Sequence, residues 1–253
     1  MLSVSGMDHF KLRVASAGAS AMFYYDLFGG DVVSVRNSTL PDSPRVNEFF
    51  LKISKAPFPY LMLSQITPGE LPGLDHLAIL ADNAQAMRPV LERSASLISP
   101  DQGLRVRDAD GMVIELMTRP TWGGTAQSIR LALPSNLRSF RAAFEPIAVK
   151  RLCLRTEDVY RSAQFYTRLF TRQSTQALNV GGKAFTFGAT TLEFRPITAI
   201  QKPGLDRLII AIRDLRLKRA RRILQQRGIQ AYGSRDQVLF RDPDGNEVEL
   251  AAT

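Results

Sequence analysis

The chain has 253 residues, 45% hydrophobic and 23% charged, which describes a globular protein of one large domain or two of average size. No apolar run reaches the ~18–20 residues that span a bilayer, the opening MLSVSGMDHF lacks the basic and apolar runs of a secretory leader, and the single Cys153 excludes an internal disulfide, so a reducing cytoplasm without membrane attachment is expected. The net charge of +9 lies wholly in the C-terminal part, because Lys and Arg balance Asp and Glu at 14 each over residues 1–145 and exceed them by 19 to 10 over 146–253.

In chain order, residues 9–28 (HFKLRVASAGASAMFYYDLF) read as a strand and then a helix with aromatic and leucine residues at helical spacing. VNEFFLKIS and PYLMLSQI add short strands between Gly- and Pro-containing turns. Residues 74–93 (LDHLAILADNAQAMRPVLER) read again as strand then helix and run on to RDADGMVIEL at 107–116. Residues 119–146 stand outside this scheme, with Pro120 and Pro146 near their ends and a Gly-Gly between. They are predicted to join two domains and to hold a strand or helix of their own.

The pattern then starts over. Residues 151–170 (RLCLRTEDVYRSAQFYTRLF) match 9–28 without gaps, with Leu12, Arg13, Ser20, Ala21, Phe23, Tyr24, Leu27 and Phe28 over Leu154, Arg155, Ser162, Ala163, Phe165, Tyr166, Leu169 and Phe170. KAFTFG and TTLEFRPI are its supporting strands. Residues 205–224 (LDRLIIAIRDLRLKRARRIL) repeat 74–93, and RDPDGNEVEL at 241–250 repeats the Asp-Gly phrase. The basic stretch around Arg216, Lys218, Arg219, Arg221 and Arg222 can attract phosphates. However, Leu215, Ala220, Ile223 and Leu224 give it one apolar face, and no aromatic stacking platform accompanies it. A solvated helix face is the expectation, with no nucleic-acid partner.

Four units beginning near residues 8, 74, 149 and 205 result. A βαβββ unit that opens with His, an apolar residue, one further residue and then Leu-Arg-Val, whose helix contains FYYDLFGG, and whose partner ends RDxDGxxxEL, resembles the vicinal oxygen chelate superfamily. That group includes glyoxalase I, extradiol dioxygenases, methylmalonyl-CoA epimerase and the fosfomycin- and bleomycin-resistance proteins. The resemblance covers most of the chain. It implies an α+β fold in which four βαβββ units pair into two glyoxalase-like domains, each an open β-cup with flanking helices. The expected boundaries are residues 1–120 for a domain with a metal site, 121–146 for a linker, and 147–253 for a domain whose metal site is degenerate. Sequential pairing of units is preferred to pairing the first with the fourth, because it sorts every candidate ligand into one cup.

The only two histidines, His9 and His76, both follow an Asp at the start of a unit's first strand, and Glu115 ends the last strand of the second unit. Mapped through the resemblance, the three form a 2-His-1-carboxylate triad for one divalent ion, with Fe(II) favoured and Mn, Zn or Ni as alternatives. In the second half, Arg151 and Arg207 take the histidine slots, while Glu249 matches Glu115 and Glu193 is a further acid. Guanidinium groups cannot ligate a metal, so two cations facing two carboxylates are expected there.

Glyoxalases of the family place a fourth Glu or Gln ligand where this chain has Met62. Extradiol dioxygenases of this size carry the metal in the C-terminal domain, with further His and Tyr residues, whereas Arg105 stands ten residues before Glu115 here. Strand alternation places Lys11 and Arg13 on the side of His9. Lys11 is therefore a candidate catalytic residue that favours an anionic substrate, and solvent is its alternative destination. Arg13 reads as a structural ion-pair partner, Tyr24 and Tyr166 as packing residues, and Cys153 as inert.

The function implied is a metal-dependent enzyme, dioxygenase-like or of the glyoxalase lyase and isomerase type, that binds vicinal oxygens of a small anionic substrate. A bleomycin-resistance-like binding protein or protein-interaction module without metal is the competing class. A homodimer is compatible with either.

Overall fold

The computed structural model describes residues 2–37, 47–53, 55–56, 59–93, 97–99, 104–119, 142–170, 175–177, 183–198 and 201–253. The first unit is β1 (Val4–Val14), α1 (Ala17–Phe28), β2 (Asp31–Asn37), β3 (Asn47–Lys52) and β4 (Tyr60–Gln65). The second is β5 (Gly73–Ala81), a 3₁₀ turn at Ala84–Met87, α2 (Arg88–Arg93), β6 (Leu97–Ser99), β7 (Leu104–Arg107) and β8 (Val113–Met117). The third is β9 (Pro146–Thr156), α3 (Val159–Leu169), β10 (Thr175–Ala177), β11 (Lys183–Phe187) and β12 (Thr190–Pro196). The fourth is β13 (Gly204–Ile212), α4 (Leu217–Gln226), β14 (Val238–Arg241) and β15 (Glu247–Ala252). Its outer strand is reduced to a bridge between Tyr232 and Leu239.

Units pair in sequence order. One sheet runs β2-β3-β4-β1-β5-β8-β7-β6 and the other β10-β11-β12-β9-β13-β15-β14. In each, the first strands of two units meet antiparallel at the centre, β1 on β5 and β9 on β13. The sheets are mixed and open, and helices flank them.

The repeated helices start on side-chain caps. Ser16 accepts the Ala19 amide ahead of α1, and Asp158 accepts those of Tyr160 and Arg161 ahead of α3. Gly29 ends α1 at φ +63°, its amide bonded to Tyr25 O. At Gly30 a Cβ would lie 2.1 Å from the Lys52 carbonyl oxygen, so only glycine fits that close approach.

The helix expected in the second unit is shorter than its counterpart α4. It breaks into a 3₁₀ turn and the six-residue α2, entered through Asn83 at φ +53°. Pro89 has no amide to donate and its ring clashes with a preceding turn, so a continuous helix cannot pass through it. Residues 120–141, most of the expected connecting segment, lie outside the described residues. Beyond them, Ala143 and Phe144 donate to the Asp26 and Leu27 carbonyls at the end of α1.

One apolar core runs through both halves, from Phe10, Leu12 and Tyr24 to Tyr166, Phe194 and Phe240. The Asp-Gly turns join the halves reciprocally. Tyr24 Oη on α1 donates to Asp242 at 2.8 Å, while Ser20 Oγ and the Ala15 amide donate to Asp244 at 2.6 Å each. In the opposite sense, Tyr166 Oη on α3 donates to Asp108 at 3.2 Å, while Thr156 Oγ1, Ser162 Oγ and the Glu157 amide donate to Asp110. Both tyrosines are fully buried, so each hydroxyl needs a partner that its own half does not provide.

Candidate metal centre

On β1, Phe10, Leu12 and Val14 face the core, which turns His9, Lys11 and Arg13 into the cup of the first sheet. His9 is level with Ala78 of β5, and Glu115 of β8 is level with Ala78 from the other side. That register brings His9, His76 and Glu115 together, each offering one ligand atom, with all three atoms within 4.8 Å of one another. His9 Nε2 is 3.0 Å from His76 Nε2, and His76 Nε2 is 3.4 Å from Glu115 Oε2. The two histidines are 5% and 3% exposed.

Each imidazole is held from behind by the residue that precedes it. His9 Nδ1 lies 2.8 Å from Asp8 Oδ2, and His76 Nδ1 lies 2.8 Å from Asp75 Oδ2. Neighbouring side chains on a regular strand point to opposite faces. Here the β1–β5 register slips at both aspartates, between Met7 and His9 and between His76 and Leu74. Such bulges re-aim a side chain. A carboxylate beside each Nδ1 favours the tautomer that keeps Nδ1–H, which leaves Nε2 as the nitrogen able to ligate from the cup side. Burial, followed by the neighbouring His9, pulls the His76 pKa below the usual histidine value against the opposing pull of Asp75, which favours the neutral, ligating form.

Lys11, the other site candidate, lies beside this cluster with its charge engaged. Its Nζ is 2.8 Å from Glu48, which also accepts from Ser64, and 4.0 Å from Asp75. Arg13 Nε stands 3.7 Å from Asp75, and Arg105 Nη2 is 3.2 Å from Glu115 Oε2. Met62, level with Lys11 on β4, packs with Phe50 and Tyr60 into a small apolar cluster, and the Phe50 ring meets His9 edge-on at 6.1 Å.

No protein-family model matches the sequence, and no curated protein sequence matches it. Solved structures do match over nearly the whole chain. A mutant of 4-hydroxymandelate synthase from Streptomyces coelicolor superposes with a TM-score of 0.65 at 14% identity, covering 98% of this chain and 92% of that one. Homoprotocatechuate 2,3-dioxygenase from Brevibacterium fuscum, in complex with 3,4-dihydroxyphenylacetate, gives 0.65 at 16% identity, with 98% and 80% coverage. The Mn(II)-bound glyoxalase from Novosphingobium aromaticivorans gives 0.62 at 15% identity, with 100% and 83% coverage. These likenesses show the fold, which the chain shares with the synthase, the dioxygenase and the glyoxalase.

The His-His-Glu cluster is compatible with one metal ion. The cup of the second half is built on the same register with other residues. Arg151, in the slot of His9, donates to Glu193 at 2.6 Å, and Arg207, in the slot of His76, donates to Glu249 at 2.8 Å and Glu247 at 2.5 Å. Arg195 ties Glu193 to Asp206. Cys153 takes the place of Lys11 and is buried, with its thiol pushed up to about 12 by desolvation and then by Glu193. It is therefore not a nucleophile at neutral pH.

On α4, Ala220 and Leu224 are buried. Arg221 donates to the carbonyls of Gly233, Ser234 and Gln237, and Arg227, just beyond the helix, pairs with Asp26 of α1. Among the described residues, no helix is long and apolar enough to cross a membrane.

The sequence displayed Asp8 and Asp75 as Asp-His dipeptides, yet their grip on Nδ1 depends on bulges that no spacing rule reveals. The cross-half role of the Asp-Gly turns was visible only as repetition.

Proposed function

We propose that the chain is a divalent-metal-dependent enzyme of the vicinal oxygen chelate type, with its metal held by His9, His76 and Glu115 in a domain spanning residues 1–120. Residues 147–253 then form a partner domain whose equivalent slots hold ion pairs. The observation that carries this reading is the convergence of two Nε2 atoms 3.0 Å apart, each with its Nδ1 tied to an aspartate.

Two Nε2 atoms at that separation need either a shared proton or a metal cation between their lone pairs. The two nitrogens are close enough that His9 and His76 would share one ion. Glu115 adds the carboxylate that completes a facial set, and imidazole with carboxylate suits Fe(II), with Mn, Zn and Ni as alternatives. When bound, the ion acts as a Lewis acid that stabilises negative charge developing on the substrate's vicinal oxygens.

This chain's residues do the rest. Asp8 and Asp75 fix both imidazoles, Phe50, Met62 and Tyr60 supply an apolar wall, and Lys11 and Arg105 supply positive charge beside the site. The three-ligand set, with Met62 in the fourth-ligand slot, favours dioxygenase-like chemistry over a four-ligand glyoxalase. Since the chain has only these two histidines, no third one serves as acid or base.

Protein purified without chelators should contain about one Fe, Mn, Zn or Ni per chain, lost in His9→Ala and His76→Ala. Anaerobic Fe(II) loading followed by oxygen uptake with a panel of catechols then separates an oxygenase from a lyase or isomerase. Protein that stays metal-free, with both variants unchanged in stability, would favour a binding module instead.

A further inference from the structure

Arg105 of β7 stands directly opposite Glu115 of β8, and the Glu115 oxygen that it contacts is the one facing His76. The second half shows what the fold itself requires at this position. Opposite Glu249, on the matching strand, is Leu239, which is buried. The cation for Glu249 comes instead from Arg207, in a histidine slot. A guanidinium at position 105 is therefore no requirement of the β-cup. It occurs in the half that has the two histidines.

Arg105 Nε is buried and has no hydrogen-bond partner among the described residues. An unsatisfied buried donor calls for an acceptor. Arg13 Nε shares that condition, but so do Arg155 Nε at the repeated position and Arg151 Nε in the half without histidines, so what sets Arg105 apart is its place against the oxygen of Glu115 that faces His76. Lys11 is already paired with Glu48. With Glu115 committed to a metal ion, the guanidinium of Arg105 retains a planar set of N–H donors suited to a second carboxylate.

We propose that Arg105 binds a carboxylate of the substrate, so that the site takes small organic acids bearing a carboxylate near their pair of metal-chelating oxygens. This rests on the reading of His9, His76 and Glu115 as metal ligands.

The test compares two probes with the same chelating oxygens, 3,4-dihydroxybenzoate and catechol. Each is titrated calorimetrically under nitrogen into Mn(II)-loaded wild type and Arg105→Leu, the residue that the second half carries. Arg105→Gln serves the same comparison if the leucine variant does not fold. The wild type should bind the acid at least about 10-fold more tightly than catechol. The variant should lose that preference while keeping its Mn(II) content and its affinity for catechol. A preference that survives the substitution overturns the proposal, as does wild-type protein that holds Mn(II) without any preference or without binding either probe. Loss of Mn(II) in the variant also overturns it, by making Arg105 a support for Glu115. Wild-type protein that takes up no metal overturns the underlying reading instead.

Discussion

Asp8 and Asp75 illustrate how much a single side chain's direction can carry. Each is adjacent in sequence to the imidazole it holds, an arrangement that regular strand geometry forbids and a bulge permits. Asp8→Asn or Asp75→Asn leaves an oxygen acceptor in place but removes the charge that raises the basicity of the ring. Each should weaken metal binding by roughly 10–100-fold, measured by competition with a metallochromic chelator. Affinity equal to wild type in both variants would mean that the aspartates only fill space. The clustering of His9, His76 and Glu115 was legible as the only two histidines in equivalent slots of a repeat, plus a repeated glutamate. Its supporting aspartates were not, because a strand register fixes them and a register is settled by pairing partners far away in sequence.

At the scale of elements, the Asp-Gly turns do more than reverse the chain. Asp108 accepts the amides of Asp110 and Met112 at its own turn and the hydroxyl of Tyr166 from α3. Burial, as the largest cause, raises its pKa to about 6 from 3.8. Between those values the folded protein retains a proton that the unfolded chain releases. The contribution of Asp108 to stability is therefore fully present at the acid end and lost as pH rises through about 6, an effect of about 3 kcal/mol at most. Urea unfolding of wild type and Asp108→Asn from pH 4.5 to 7 should show a difference that shifts in favour of wild type as pH falls. A difference independent of pH would refute that titration. Tyr24→Phe leaves Asp242 without its hydroxyl donor and should cost about 1–3 kcal/mol, seen as a lower urea midpoint. Periodicity located α1, α3 and α4 well. It placed a helix in the second unit but did not show its break, because Pro89 interrupts a pattern whose apolar spacing looks continuous.

For the whole molecule, a main core that crosses both halves among the described residues implies one cooperative transition. Asp242→Ala, a change in the second half, should lower the stability of the first, with circular dichroism and metal release moving together along the same urea axis. Two resolved transitions, with metal release unaffected by the substitution, would show the halves to be independent. The order of units along the chain was readable from the repeats. Their pairing was settled by strand neighbours, and the cross-half contacts came from neither periodicity nor motif.

The exchange of helix anchors between halves also bears on how such a duplicated chain can change over time. Asp242 and Asp244 belong to the arginine-bearing half by position, but the helix they secure packs on the sheet that carries His9 and His76. The half without histidines is therefore indispensable to its twin. Substitutions in its cup should be tolerated more readily than substitutions at Asp242 or Asp244 in its Asp-Gly turn.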